Sequence, residues 1–139
     1  MLTNADITIF NCWHKGTRSE AWKHTQIRGV EWYGGQATTL LESGLKSADT
    51  YTVRIPISAD AQGKAFAMAA DYAAAGETAV AGLWTLQNGD VVVHGLVDDT
   101  PAGDTDITSK CSDRCFTVTG WRDNRRGGPL VQHWRISGA

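Results

Sequence analysis

The sequence predicts a mainly β protein, built as a small antiparallel β-barrel or sandwich. Apolar and polar residues alternate with period two over several short segments, most clearly over residues 51–58. Turn-forming residues separate these segments, and six to eight predicted strands with hairpin-length loops favour closure, since closure removes exposed strand edges. At 139 residues with 42% apolar content, the chain fits one domain covering residues 1–139.

The first half of the chain predicts short strands separated by turns. Between Trp22 and Trp32 the apolar positions change parity at Gly29, which predicts a β-bulge, although two short strands joined by a kink would give the same pattern. Pro56 lacks an N–H and indicates an edge position or a strand end. In chain order we expect a strand over 7–11, a turn over 14–20, a strand over 22–32, a tight turn over 33–35, a strand over 37–41, a loop over 43–49 and a strand over 51–58.

The second half opens with an Ala-rich stretch over residues 61–76, which predicts one short helix ended by Gly76, or an Ala-rich loop lying over the barrel. The Asn88-Gly89 pair is a strong turn signal and predicts a hairpin that joins 80–86 to 90–97. An acidic loop over 98–113 follows, and a closing hairpin pairs 115–122 with 130–137.

The charge and the cysteines exclude several functional classes. The formal charge is −2, so the overall balance gives no reason to expect nucleic acid or an anionic membrane as a partner. The sequence has no apolar run of 18 residues and no basic leader, so we expect cytoplasmic synthesis without export. Cys12, Cys111 and Cys115 include no CxxC pair and are expected to be reduced thiols that bind no metal.

Motifs that carry chemistry are absent from the sequence. It contains no GxSxG elbow, HExxH pair or phosphate-binding loop, so we predict no catalytic site, cofactor or metal. Asp98 and Asp99 form the only adjacent carboxylate pair. With a histidine they would allow a metal-dependent hydrolase, which ranks third among our hypotheses because a Pro/Gly-rich acidic loop favours solvation.

Oppositely charged loops supply the candidate interface residues. Arg122, Arg125 and Arg126 form a basic tip on the closing hairpin, and Asp98 and Asp99 open the acidic loop. A solvated turn explains the basic tip equally well, whereas charge complementarity would join copies head to tail or dock an acidic partner.

Six tryptophans are more than a core of this size is expected to hide, so some are assigned to an interface. Among the six tryptophans, we predict that Trp134 lies at an interface with another subunit or partner. An alternative is a carbohydrate-binding face, on which aromatic rings stack against sugars.

Five segments of the chain carry a resemblance to known proteins: MLTNADITIFN, IRGVEWYGGQAT, TYTVRIPI, WTLQNGDVVVHG and FTVTGWRDNRRGGPLVQHWRISG. Together they resemble an uncharacterised family of small phage and prophage proteins, and the similarity runs nearly end to end. The resemblance implies a virion component encoded among head and connector genes. The acidic loop over 98–113, which we expect to be mobile, is followed by a closing hairpin. This arrangement is also similar, in architecture alone, to head-closure proteins called stoppers.

That resemblance implies a homo-oligomeric ring in the virion neck, made in the cytoplasm of the bacterial host. The implied partners are portal or adaptor proteins, and tail terminator or tail tube proteins. DNA would pass through the ring without specific binding. Within this class the alternatives are a tail terminator and a minor capsid protein, and from another class a β-barrel module that binds a carbohydrate or a peptide.

Overall fold

Six of the eight strands close into an antiparallel barrel in the computed structural model, in the order β1-β2-β3-β8-β7-β6, which confirms the predicted fold class. The strands are β1 (Ala5–Trp13), β2 (Ala21–Leu41), β3 (Gly44–Pro56), β4 (Ala65–Phe66), β5 (Leu83–Trp84), β6 (Val91–His94), β7 (Cys115–Asn124) and β8 (His133–Gly138). The structure describes residues 3–14, 16–18, 20–41, 44–98, 107–109, 115–128 and 131–138.

A β-bulge at Gly29 bends β2 and confirms the bulge that the sequence predicts. Ala5 pairs with Val30 while Asp6 pairs with Arg28, so Gly29 has no partner across the ladder. Its φ of +82° lies in the region that glycine adopts most easily, and its N–H donates to the Asp6 carboxylate at 3.1 Å. On one side of this bend β2 pairs with β1, and on the other it pairs with β3.

A second bulge bends β7 in the same way. Before it β7 pairs with β6, and after it β7 pairs with β8, with the register shifting between Val118 and Gly120. Gly138 lies against β7 at this point, where a Cβ atom would overlap the carbonyl oxygen of Thr117. Glycine is therefore required at position 138 because the two backbones approach closely.

The hairpin formed by β2 and β3 continues beyond the barrel as a two-stranded ribbon. Residues 34–41 pair with residues 44–51, from Gly34 opposite Tyr51 to Leu41 opposite Gly44. The tight turn predicted at 33–35 is wrong because these residues belong to β2, and the loop predicted at 43–49 is wrong for residues 44–49, which belong to β3. Residue 43 lies outside the described residues. A ribbon outside the barrel need not bury one face, so period-two alternation is not required there.

Aliphatic and aromatic side chains fill the barrel. The completely buried members include Ile7 and Ile9 from β1, Ile27 from β2 and Ile55 from β3. Their odd positions match the predicted alternation, and Pro56 ends β3 as its missing N–H predicts.

The Ala-rich stretch contains less helix than the sequence predicts. Helix α1 (Ala69–Ala74) is short, and Gly76 starts helix α2 (Glu77–Val80) instead of ending α1. Ala75 closes α1 in an extended conformation. Tyr72 fixes α1 on the barrel, where burial raises the pKa of its hydroxyl. No helix in the described part of the chain is long and apolar enough to cross a membrane.

The hairpin predicted around Asn88-Gly89 is wrong, although Gly89 does adopt a positive φ of +91°. Strand β5 pairs in parallel with β4, and β6 pairs with β1 and β7. Buried Asp90 explains the difference, because its carboxylate accepts hydrogen bonds from the Asn11 side chain at 2.8 Å and the Cys12 N–H at 3.1 Å. These bonds hold the turn against β1.

The predicted closing hairpin is confirmed, since β7 and β8 pair from Asn124 opposite His133 towards Gly138. The acidic loop predicted at 98–113 lies mostly outside the described residues. Within it Ile107 is buried at 3% exposure and packs with Phe10 from β1.

Replacement of the bulge glycine is expected to destabilise the barrel. Gly29→Ala forces a Cβ into a left-handed conformation and should lower the free energy of unfolding by about 1–2 kcal/mol. Urea unfolding followed by tryptophan fluorescence measures the change. Gly128→Ala is the control, since a Cβ at that position meets nothing within 4 Å. Equal stability of the two variants would contradict the role assigned to Gly29.

Candidate functional site

Three arginines lie side by side on the outer surface of the barrel. The strand register places Arg54 of β3 opposite Arg135 of β8, and Arg135 opposite Arg122 of β7. Trp134 and Ile136, on either side of Arg135, are buried, so Arg135 itself faces outward. We call Arg54, Arg135 and Arg122 the arginine row.

The three arginines of the row carry more positive charge than the described carboxylates beside them neutralise. Arg54 has one carboxylate nearby, with its guanidinium 3.7 Å from Glu31, and it also lies over the Tyr33 ring at 5.4 Å. Arg135 and Arg122 are exposed and form no ion pair or side-chain hydrogen bond within the described residues. Like charges facing each other across strands are unfavourable, so an anion placed here would relieve their repulsion.

Glu31 is itself shared between two side chains. The Tyr33 hydroxyl donates a hydrogen bond to it, and this contact raises the pKa of Tyr33. The Glu31 carboxylate therefore neutralises charge at the β3 end of the row, and no described carboxylate pairs with Arg135 or Arg122.

A polar recess of about 380 Å³ lies beside Arg122 and Arg135. Its lining residues are Gly120, Trp121, Arg122, Arg135 and Ser137. Gly120 has no side chain to fill the space, and a Cβ there would meet nothing within 4 Å. The β7 bulge thus opens a recess in which an anionic group can lie between two guanidinium groups.

Arg125 is engaged within its own chain. Its guanidinium binds both carboxylate oxygens of Asp123, at 2.8 and 2.6 Å, and lies 5.2 Å from the centre of the Phe66 ring and 5.3 Å from that of Trp134. The hydrogen bonds raise the pKa of Arg125 and lower that of Asp123. All three predicted arginines are exposed, but Arg125 is also held by Asp123 and covers the Phe66 and Trp134 rings.

Trp134 is a core residue. It is 7% exposed and packs against Trp84, with 5.0 Å between the ring centroids. A ring in this position offers little surface to another subunit, so the assignment of Trp134 to an interface is corrected. Trp13 and Trp84 are also buried, and Trp22, Trp32 and Trp121 are half-buried.

Asp98 lies on a different wall of the barrel from the arginine row. Its side chain is 91% exposed, and one carboxylate oxygen is 3.3 Å from His24 Nε2 on β2. His24 pairs with Phe10 of β1, whereas the row is centred on β8, and β1 and β8 occupy opposite positions in the strand order. Asp99 lies outside the described residues.

An aromatic pocket of about 360 Å³ lies beside the barrel end. Phe66, Trp84 and Trp134 contribute ring surface, and Lys64 is the cation among the lining residues. Lys64 Nζ donates to the His24 carbonyl oxygen at 2.7 Å, and partial burial lowers the pKa of this amine. The pocket can accept an apolar group.

Within the described residues, no three His, Cys, Asp or Glu side chains are grouped so that they could hold a metal ion. The predicted absence of a cofactor, a metal and a catalytic site stays a prediction. Arg54 and Arg135 belong to the row but are not among the interface residues that the sequence predicts. Alternation places each on the outward face of its strand, but their position side by side follows only from the register.

A family model described as "Family of unknown function (DUF6751)" matches residues 2–139, so the chain belongs to this family. No curated protein and no solved structure is detectably similar to the chain.

The Asp123–Arg125 pair predicts a pH-dependent contribution to stability. Because the folded-state pKa of Asp123 is lowered, the contribution is present above about pH 4 and is lost as the pH falls through the folded pKa. Asp123→Asn should cost about 0.5 kcal/mol of unfolding free energy at pH 7 and less at about pH 3. Urea unfolding at both pH values tests this, and an equal loss at both would contradict it.

Proposed function

We propose that the protein is a structural subunit of a phage head-tail connector that assembles into a homo-oligomeric ring. The head-closure, or stopper, layer is the first assignment. Tail terminator and minor capsid protein remain alternatives within the same class. The observation that carries the assembly role is the ribbon of β2 and β3 beyond the closed barrel.

The ribbon supports assembly because two strands alone are a weak structure in water. Residues 34–41 would extend about 26 Å at the usual rise per residue. Isolated two-stranded hairpins are marginally stable, and three or more strands or a packing partner are needed. A neighbouring copy would supply that partner.

Closure of the barrel limits which strands can form backbone hydrogen bonds with another copy. Each of the six barrel strands has a neighbour on both sides. The separate sheet of β4 and β5 pairs over two residues per strand, so its edges are short. In the described part of the chain, residues 34–41 pair with β3 alone. Edge pairing between copies would therefore use the ribbon.

The virion setting rests on the resemblance to phage and prophage proteins. In that setting the ring would contact portal or adaptor proteins on one side and tail terminator or tail tube proteins on the other. A formal charge of −2 suits a ring through which DNA passes without specific binding. The mature location would be the neck of the virion.

The aromatic pocket favours a second candidate function, a module that binds a sugar or a peptide. The half-buried Phe66 ring meets the buried Trp84 ring edge to face at 5.0 Å, and the accessible side of Phe66 could contact a sugar or an apolar side chain. This function would require saturable binding by isolated monomers, whereas the connector requires assembly.

The connector role is tested with a phage or inducible prophage that carries the gene, after a stop codon is introduced at Trp22. Electron microscopy is expected to find DNA-leaking heads separated from complete tails. Wild-type protein supplied in trans should restore joined particles. A variant in which residues 37–48 are replaced by Asn-Gly should fold but fail to restore them, because it lacks the ribbon. Normal joined virions from the stop-codon phage would overturn the proposal and favour the binding module.

A further inference from the structure

We infer that the arginine row is a docking surface for a second copy of this chain, which binds it through carboxylates of its acidic segment, residues 98–113. The inference rests on the proposed ring assembly and adds a charged contact to the ribbon contact between neighbouring subunits. The charged contact is directional, since Asp98 and the arginine row lie on different walls of the barrel.

The basic side of the inferred contact has the groups that bind a carboxylate. Arg122 and Arg135 are exposed neighbours on adjacent strands, and neither has an ion-pair partner in the described part of the chain. A guanidinium binds a carboxylate through two parallel hydrogen bonds. The recess beside Gly120 has room for the carboxylate between them, and Ser137 also lines it.

Charge complementarity identifies the occupant. The acidic segment contains five aspartates and one lysine, and its first residue, Asp98, is 91% exposed. Asp98 lies near β1 and β2, while the row spans β3, β8 and β7. The barrel separates Asp98 from its own arginine row, so these groups meet most directly between copies.

Contacts of this kind have a defined symmetry. The row and Asp98 lie at different places on one copy, so the inferred interface is heterologous and adds copies head to tail. Repetition of such a contact closes a ring when the rotation between neighbours allows it. The inferred contact is thus the geometry that the proposed ring needs.

Nucleic acid phosphate is the competing occupant of an arginine row. The chain carries 15 acidic residues against 13 Lys and Arg, and a polyanion that extends beyond the row would meet this acidic surface. A short set of Asp side chains avoids that repulsion. A DNA duplex is therefore included in the test as the alternative ligand.

The test uses two charge-reversed variants of the full chain. The first carries Arg122→Glu and Arg135→Glu, and the second carries Asp98→Lys and Asp99→Lys. Each variant alone is expected to self-associate about 100-fold more weakly than wild type at low salt, because close charge pairs across an interface contribute strongly. Mixing the two should restore association between unlike copies, detected as mixed complexes by native mass spectrometry.

The matched control is Arg18→Glu with Arg28→Glu, which makes the same change in net charge at two exposed arginines outside the row. It should assemble like wild type. Circular dichroism and tryptophan fluorescence of every variant establish that the barrel still folds.

Several outcomes would overturn the inference. One is an Arg122/Arg135 variant that assembles as well as wild type, and another is a mixture that forms no mixed complexes. A wild-type chain that stays monomeric at low salt overturns it as well. Loss of DNA duplex binding with unchanged self-association would assign the row to phosphate instead. Salt-sensitive assembly together with normal virions from the stop-codon phage would leave this contact in place and overturn the connector role.

Discussion

Two bent strands determine the rest of the architecture. β2 bends at Gly29 and β7 bends beside Gly120, and each strand exchanges one neighbour for another at its bulge. Bulges increase local twist and let one strand serve two sheet segments. Without these two corners the six strands could not close, and the inward-facing Ile and Val side chains would lose their common interior.

The same two corners position the surfaces that we connect with assembly. Beyond Gly29, β2 leaves its pairing with β1 and continues with β3 into the ribbon. Beyond the β7 bulge, the missing side chain of Gly120 leaves the recess beside Arg122 and Arg135. The features that close the barrel therefore also produce its projecting ribbon and its anion-accepting recess.

Local patterns in the sequence predict much of the barrel. Alternation identifies β1, the barrel part of β3 and the closing hairpin, and the parity change identifies the bulge at Gly29. These features depend on side chains within a few residues of each other, which is why one sequence is enough to find them.

Other features depend on pairing between distant segments. The Asn88-Gly89 turn is present, but buried Asp90 holds it against β1, and β6 pairs with β1 and β7. The arginine row likewise depends on the register between β3, β8 and β7. A basic tip was predictable from composition, but the capture of Arg125 by Asp123 and two aromatic rings was not, since one ring belongs to the distant Phe66.

Sedimentation of the wild-type chain at low and high salt tests the central claim most directly, namely that the arginine row of one copy binds acidic side chains of the next. The account predicts association at about 0.05 M NaCl that is largely lost at about 1 M, where charges are screened beyond about 3 Å. Assembly of equal size and strength at both salt concentrations, or a monomer at both, would contradict it.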